Sequence, residues 1–104
     1  MIRVRFHTAD DAILGFTLSG HAGAGNHGED IVCAAVSSAA YMTANTITEI
    51  IGAAADISVD DGYMHLQLTD HTERCGDILS GFRLHLQALQ EQYPTRIQLM
   101  NTEV

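Results

Sequence analysis

The sequence predicts an α+β fold, a two-layer sandwich with its elements in the order ββαββαβ. Three observations carry that reading. Short runs of strict apolar alternation come in pairs, at residues 2–7 and 12–19 and again at 55–59 and 63–69, with a final run at 95–100. Each pair is followed by a longer stretch whose apolar residues step by three and four, at 31–51 and 70–93. Acidic turn residues, Asp10-Asp11 and Asp60-Asp61-Gly62, join the members of each pair. The expectation is a mixed sheet of about five strands with both helices on one face. At 104 residues the chain has the size of one domain, spanning 1–104.

In the first strand Ile2, Val4 and Phe6 alternate with Arg3, Arg5 and His7. In the second, Leu14, Phe16 and Leu18 lie opposite Gly15, Thr17 and Ser19. The first helix is read over 31–51, without Pro or Gly, and its inward stripe is Val32, Val36, Ala39, Ala40, Thr43, Ile47, Ile50 and Ile51. Its alanines favour helix, and Gly52 is its stop. Ile57 and Val59 are expected to face inward from the third strand. Asp61-Gly62 suits a tight hairpin with positive φ at both central residues. The fourth strand turns Met64, Leu66 and Leu68 to the core and Tyr63, His65 and Gln67 away. The second helix has Asp70 and Glu73 at capping-box spacing. Cys75, Ile78, Leu79, Phe82, Leu86, Leu89 and Tyr93 form its stripe, and Pro94 ends it. Ile97 and Leu99 alternate in the last strand.

Composition narrows the function classes. Apolar residues make up 46% of the chain, which suits a packed core. No apolar run reaches the roughly 18 residues of a membrane span. The opening MIRVRF lacks a signal peptide's apolar region, so the expected location is the cytoplasm. Cys33 and Cys75 form no CxxC pair and are expected as free thiols. The net charge is −8, and the five basic residues are all Arg. That argues against a nucleic-acid binder, which needs a cationic footprint. A basic peptide or protein suits the field.

Chemistry concentrates in residues 20–37, GHAGAGNHGEDIVCAAVS, between the second strand and the first helix. With Asp30 as N-cap, Cys33 is the third helical residue, where the helix dipole favours a thiolate. The competing reading makes Cys33 a small buried hydrophobe. Cys75 falls in line with Ile78, Leu79 and Phe82 and reads as core. His21, at the end of the second strand, is the natural base for Cys33. His27, His65, His71 and His85 read as surface residues. Gly20 and Gly23 suit positive φ and close backbone approach, and Gly25 and Gly28 suit a hinge. A phosphate cradle is disfavoured, because no GK[ST] follows and Glu29-Asp30 would repel the anion. His21, His27, Asp30 and Cys33 are zinc-compatible types, but their spacing matches no metal pattern, and no cofactor or metal is expected.

Gly20-His21-Ala22-Gly23, a short Gly-containing loop, and Asp30-Ile31-Val32-Cys33-Ala34-Ala35-Val36-Ser37 together resemble the signature of the ribosomal-processing cysteine protease family Prp. The resemblance covers nearly the whole chain. Where family members often carry an aromatic residue, this chain has Ala24. The resemblance implies a small cytoplasmic, homodimeric endopeptidase. Its substrate would be the N-terminal extension of large-subunit ribosomal protein twenty-seven, removed during ribosome maturation. It implies Cys33 as nucleophile and His21 as general base. Asp30 and Ser37 would be supporting residues, and the loop holding Gly20, Ala22, Gly23, Gly25 and Gly28 would close over the substrate. The alternatives weighed are a non-enzymatic ribosome-associated binding module of the same fold and a metal-dependent hydrolase.

Overall fold

A computed structural model describes residues 1–20, 27–70 and 73–104, with backbone alone at 27–30. The chain forms β1 (Ile2–Ala9), β2 (Ala12–Ser19), α1 (His27–Asn45), β3 (Ala55–Asp60), β4 (Tyr63–Leu68), α2 (Gly76–Gln92) and β5 (Ile97–Glu103). The sheet order is β3-β4-β2-β1-β5. All neighbours are antiparallel except β1 and β5, which run parallel, so the sheet is mixed as expected.

Alternation decides which face is covered. Ile2, Val4, Phe6, Phe16, Leu18, Met64, Leu66 and Ile97 are buried against the helices, whereas Arg3, Arg5 and Gln98 stay exposed. Both helices lie over the same face. Phe82 of α2 sits over Phe6 (ring centroids 5.9 Å apart, edge-on) and over Phe16 (4.7 Å). Such pairs are worth about 0.5–1.5 kcal/mol each beyond burial. From α1, Val32, Val36, Ala40, Thr43 and Ile47 complete the core. Residues 31–51, though interrupted by Ser, Thr, Asn and Glu, have the length and mean hydropathy (1.2) that a membrane span also shows. Here that stripe packs on the sheet.

Five expectations need correction. In β2, Ile13 is buried and Leu14 is only half-buried, because a bulge shifts the register between His7 and Thr8. The extra residue reverses the alternation on one side of it. Ile50 is 76% exposed, not inward. The α-helix gives way to a π-turn at Thr46–Ile51, whose wider winding carries Ile50 off the stripe. Gly52 does end that segment, with φ 78° and its N–H on the Ile47 carbonyl. In the third strand, Ile57 (39%) and Val59 (50%) are exposed, since β3 is the sheet's edge and the helices do not cover it. The Asp61-Gly62 turn has positive φ only at Gly62. At the second helix the regular α-turns begin at Gly76, after a 3-10 turn at Glu73–Cys75. The capping box depends on residues 71–72, which lie outside the described residues, as does His71.

Candidate active site

The backbone of α1 starts at His27, three residues before the expected cap. Asp30 is therefore inside the helix, and Cys33 is its seventh residue, in the second turn. The dipole argument built on a first-turn cysteine does not hold there, since that field falls off within one turn. The side chains of His27, Gly28, Glu29 and Asp30 lie outside what is described, as do His21, Ala22, Gly23, Ala24 and Gly25 entirely. The His21 base, the Gly23 close approach and the Gly25 hinge thus fall outside the described residues, whereas the Asp30 cap is overturned by the earlier helix start, which also places Gly28 within the helix.

Cys33 is half-buried and lines a cleft of about 500 Å³ between α1 and the sheet. Its α1 wall continues through Val36, Ser37, Ala40 and Tyr41. The helical spacing explains this, because Cys33, Ser37 and Ala40 recur on one face. The floor is Ile2, Leu18 and Met64, and the rim is Gly20 with the β3–β4 turn, Asp60 to Tyr63. Cys33 and Ser37, assigned to one site from sequence, do lie in one cleft. Gly20 joins them from β2.

Gly20 is held by specific geometry. Its φ is 94°, and a Cβ there would collide with the Met1 carbonyl oxygen. Its N–H donates to the Gly62 carbonyl at 2.9 Å, tying the end of β2 to the β3–β4 turn. Only glycine meets both demands. The residue that follows it in the chain is His21.

Cys75 is fully buried, as expected. Burial, reinforced by the Asp70 charge and opposed by Arg74, pushes its thiol above the ordinary value. It does not line the cleft. A wider apolar groove of about 660 Å³ runs between α1 and α2, where His85 is exposed on the surface as expected. Among the described residues, no three His, Cys, Asp or Glu side chains cluster as a metal site would require.

One cluster escaped the sequence reading. On the uncovered face, His7 is only 7% exposed. Its Nδ1 lies 2.6 Å from Gln67 Oε1 and its Nε2 lies 2.8 Å from Thr17 Oγ1. Thr17 Oγ1 in turn lies 2.9 Å from His65 Nδ1, and the two imidazoles stand 5.3 Å apart. His65 is thus half-buried in a sheet network, not the plain surface residue expected. The signal available in sequence was alternation alone: His7, Thr17, His65 and Gln67 all fall on the outward register.

Known proteins share this sequence and fold. The family model of cysteine protease Prp matches residues 1–98. The ribosomal processing cysteine protease Prp of Staphylococcus aureus is 33% identical over 85 residues, covering 79% of this chain and 80% of that protein. The Bacillus subtilis protein of the same name is 25% identical over 97 residues, covering 86% and 87%. The crystal structure of the S. aureus protease with a covalently linked product peptide superposes with a TM-score of 0.89 at 30% identity, covering 98% of this chain and 100% of that one. A further S. aureus structure, with a substrate peptide, superposes equally well. With a thiol-bearing cleft on the matching fold, and a family model spanning almost its full length, this chain belongs to the ribosomal processing cysteine protease family Prp.

Proposed function

We propose that this cysteine protease is an endopeptidase with a Cys33–His21 dyad, and that it removes the N-terminal extension of large-subunit ribosomal protein twenty-seven. The observation that carries the dyad is that Gly20 and Cys33 line one cleft, with His21 bonded directly to Gly20. Chain adjacency to Gly20, whose next Cα is about 3.8 Å away, is what supports His21 as the base. The covalently linked product in the S. aureus protease supports covalent catalysis.

In this reading His21 takes the proton from Cys33 Sγ, and the thiolate attacks the scissile carbonyl. The tetrahedral oxyanion needs donors. The backbone N–H groups of the first turn of α1, which have no partner within the helix, are the proposed donors. Ser37 adds a hydroxyl one turn beyond Cys33 on the cleft wall. His21 returns its proton to the leaving amine, and water then hydrolyses the thioester. The net charge of −8 suits a substrate segment from a basic ribosomal protein. A homodimer in the cytoplasm is part of the same proposal.

The test is cleavage of a peptide spanning the extension. Wild type and Cys75→Ala should give one cut. Cys33→Ala should give none, and His21→Ala should lose about 10²–10⁴ in kcat. Full activity in either cleft variant would end the dyad proposal.

A further inference from the structure

β3 is the terminal strand of the sheet, and among the described residues no strand lies beyond it. Its outer edge is unusually inviting. The register pairs Ala55 with Leu68 and Asp60 with Tyr63, and the Thr69 N–H donates to the Ala54 carbonyl at 3.0 Å. Hydrogen-bonded pairs alternate along an antiparallel ladder. Residues 54, 56, 58 and 60 therefore turn their backbone groups to β4, and 55, 57 and 59 turn theirs outward. Proteins ordinarily guard such an edge with Lys, Pro or a bulge. The sequence ADISVD has none of these, and its only guarding charges are Asp56 and Asp60.

Side chains add a pattern. Ile57 and Val59 pair with Leu66 and Met64, so they share the helix-side face, yet they are 39% and 50% exposed. Asp56 and Asp60 lie on the opposite face. Val59 and Asp60 also line the Cys33 cleft, so the edge and the cleft are continuous.

We propose that the outer edge of β3 is a substrate-docking strand: an extended peptide entering the Cys33 cleft pairs with β3 as an added strand, its apolar residues beside Ile57 and Val59 and its basic residues beside Asp56 and Asp60. This is recognition by β-augmentation, in which main-chain bonds give affinity and alternate side chains give selectivity. It deepens the peptidase reading and rests on it. A second copy of this chain suits the edge less well. Full-length antiparallel pairing of two β3 strands about Ser58 would set each Asp56 opposite the other's Asp60, and like charges directly opposite destabilise.

The experiment uses two peptides from the proposed ribosomal-protein substrate. One is long enough to reach from the cleft across β3, and the other is trimmed to the residues flanking the cut. Ile57→Pro removes an outward N–H without touching the ladder to β4, and Ile57→Thr strips the apolar contact but keeps strand propensity. Each should lower the ratio of kcat/KM for long over short peptide about tenfold. Amide exchange on Cys33→Ala should show Ile57 and Val59 protected when the long peptide is added. An unchanged ratio with unprotected amides overturns the docking strand while leaving the peptidase intact. Protection that follows protein concentration and not peptide assigns the edge to a second copy and also overturns it. A wild-type protein that cuts neither peptide overturns the peptidase reading, and unprotected amides there dispose of the docking strand separately. The exchange measurement decides even if Ile57→Pro does not fold.

Discussion

Replacing Gly20 with alanine tests how the fold delivers its site. Gly20 has φ 94°, and a Cβ at this position meets the Met1 carbonyl. Forcing an L-residue into left-handed space costs about 1–2 kcal/mol. Relieving the overlap by shifting backbone adds about 1–3 kcal/mol, as overpacking does. Relief shifts either Met1 or the end of β2, and a shift of β2 stretches the 2.9 Å bond to the Gly62 carbonyl. The total is about 2–5 kcal/mol, a large share of a domain's usual 5–15 kcal/mol. Urea titration monitored by circular dichroism reads the loss as a lower midpoint with an unchanged slope. On the proposed dyad, cleavage assays well below that midpoint should also show a fall in kcat. A Gly20→Ala protein within 0.5 kcal/mol of wild type and equally active would refute the argument that this glycine sets the rim of the cleft.

Thr17→Val keeps the side chain's shape but removes the oxygen shared by His7 and His65. With His7 nearly buried, the expected cost is about 1–3 kcal/mol, and combining it with His65→Ala in a double-mutant cycle should show coupling above about 0.5 kcal/mol. Cys75 gives a pH dependence of definite sign. Its folded thiol holds its proton above the ordinary value of 9.0, so the unfolded chain binds fewer protons once the pH passes that value. The stabilisation is complete below pH 9.0 and is lost as the pH rises through the raised folded value. Wild type should therefore lose stability more steeply than Cys75→Val in urea titrations above that pH.

The architecture was legible because periodicity reports burial directly. Val4, Phe6, Phe16, Leu66, Leu79, Phe82 and Leu86 all alternate or step as a single covered face demands, and all are buried. The misreadings share a physical origin: each depends on a local irregularity or on a neighbour that alternation does not encode. Ile13 and Leu14 exchanged roles at a bulge, and Ile50 was displaced by a π-turn. The alternation of Ile57 and Val59 was real, but alternation cannot say whether a helix reaches the edge strand. His7 and His65 come together only through pairing between three strands, with partners 10 and 48 or more positions away. For the cleft, Cys33 was singled out by its residue type beside the Gly-rich loop, while Ser37 came only from the family signature; both line the cleft with Gly20. The position of Cys33 along its helix was not legible, since Asp30 makes as good a cap in sequence as any residue upstream of it.

That shift of the helix start changes what the dyad must do. A cysteine in the first turn has its own free N–H and the full helix field, so it is partly prepared for chemistry without a partner. In the second turn of α1, the Cys33 N–H is committed to the helix ladder and the field has faded. Activation and oxyanion binding then pass to groups outside its own turn. On the proposed dyad the base is a side chain delivered from elsewhere, and Gly20, which lines this cleft, immediately precedes His21 in the chain. The proposal assigns the oxyanion to the N–H groups at the start of α1 and the Ser37 hydroxyl. Residues that act as a unit show grossly non-additive losses. For that reason His21→Ala combined with Cys33→Ala should be no worse than Cys33→Ala alone. A helix-activated thiol would instead keep much of its rate when His21 is removed, and the second-turn placement of Cys33 argues against that outcome.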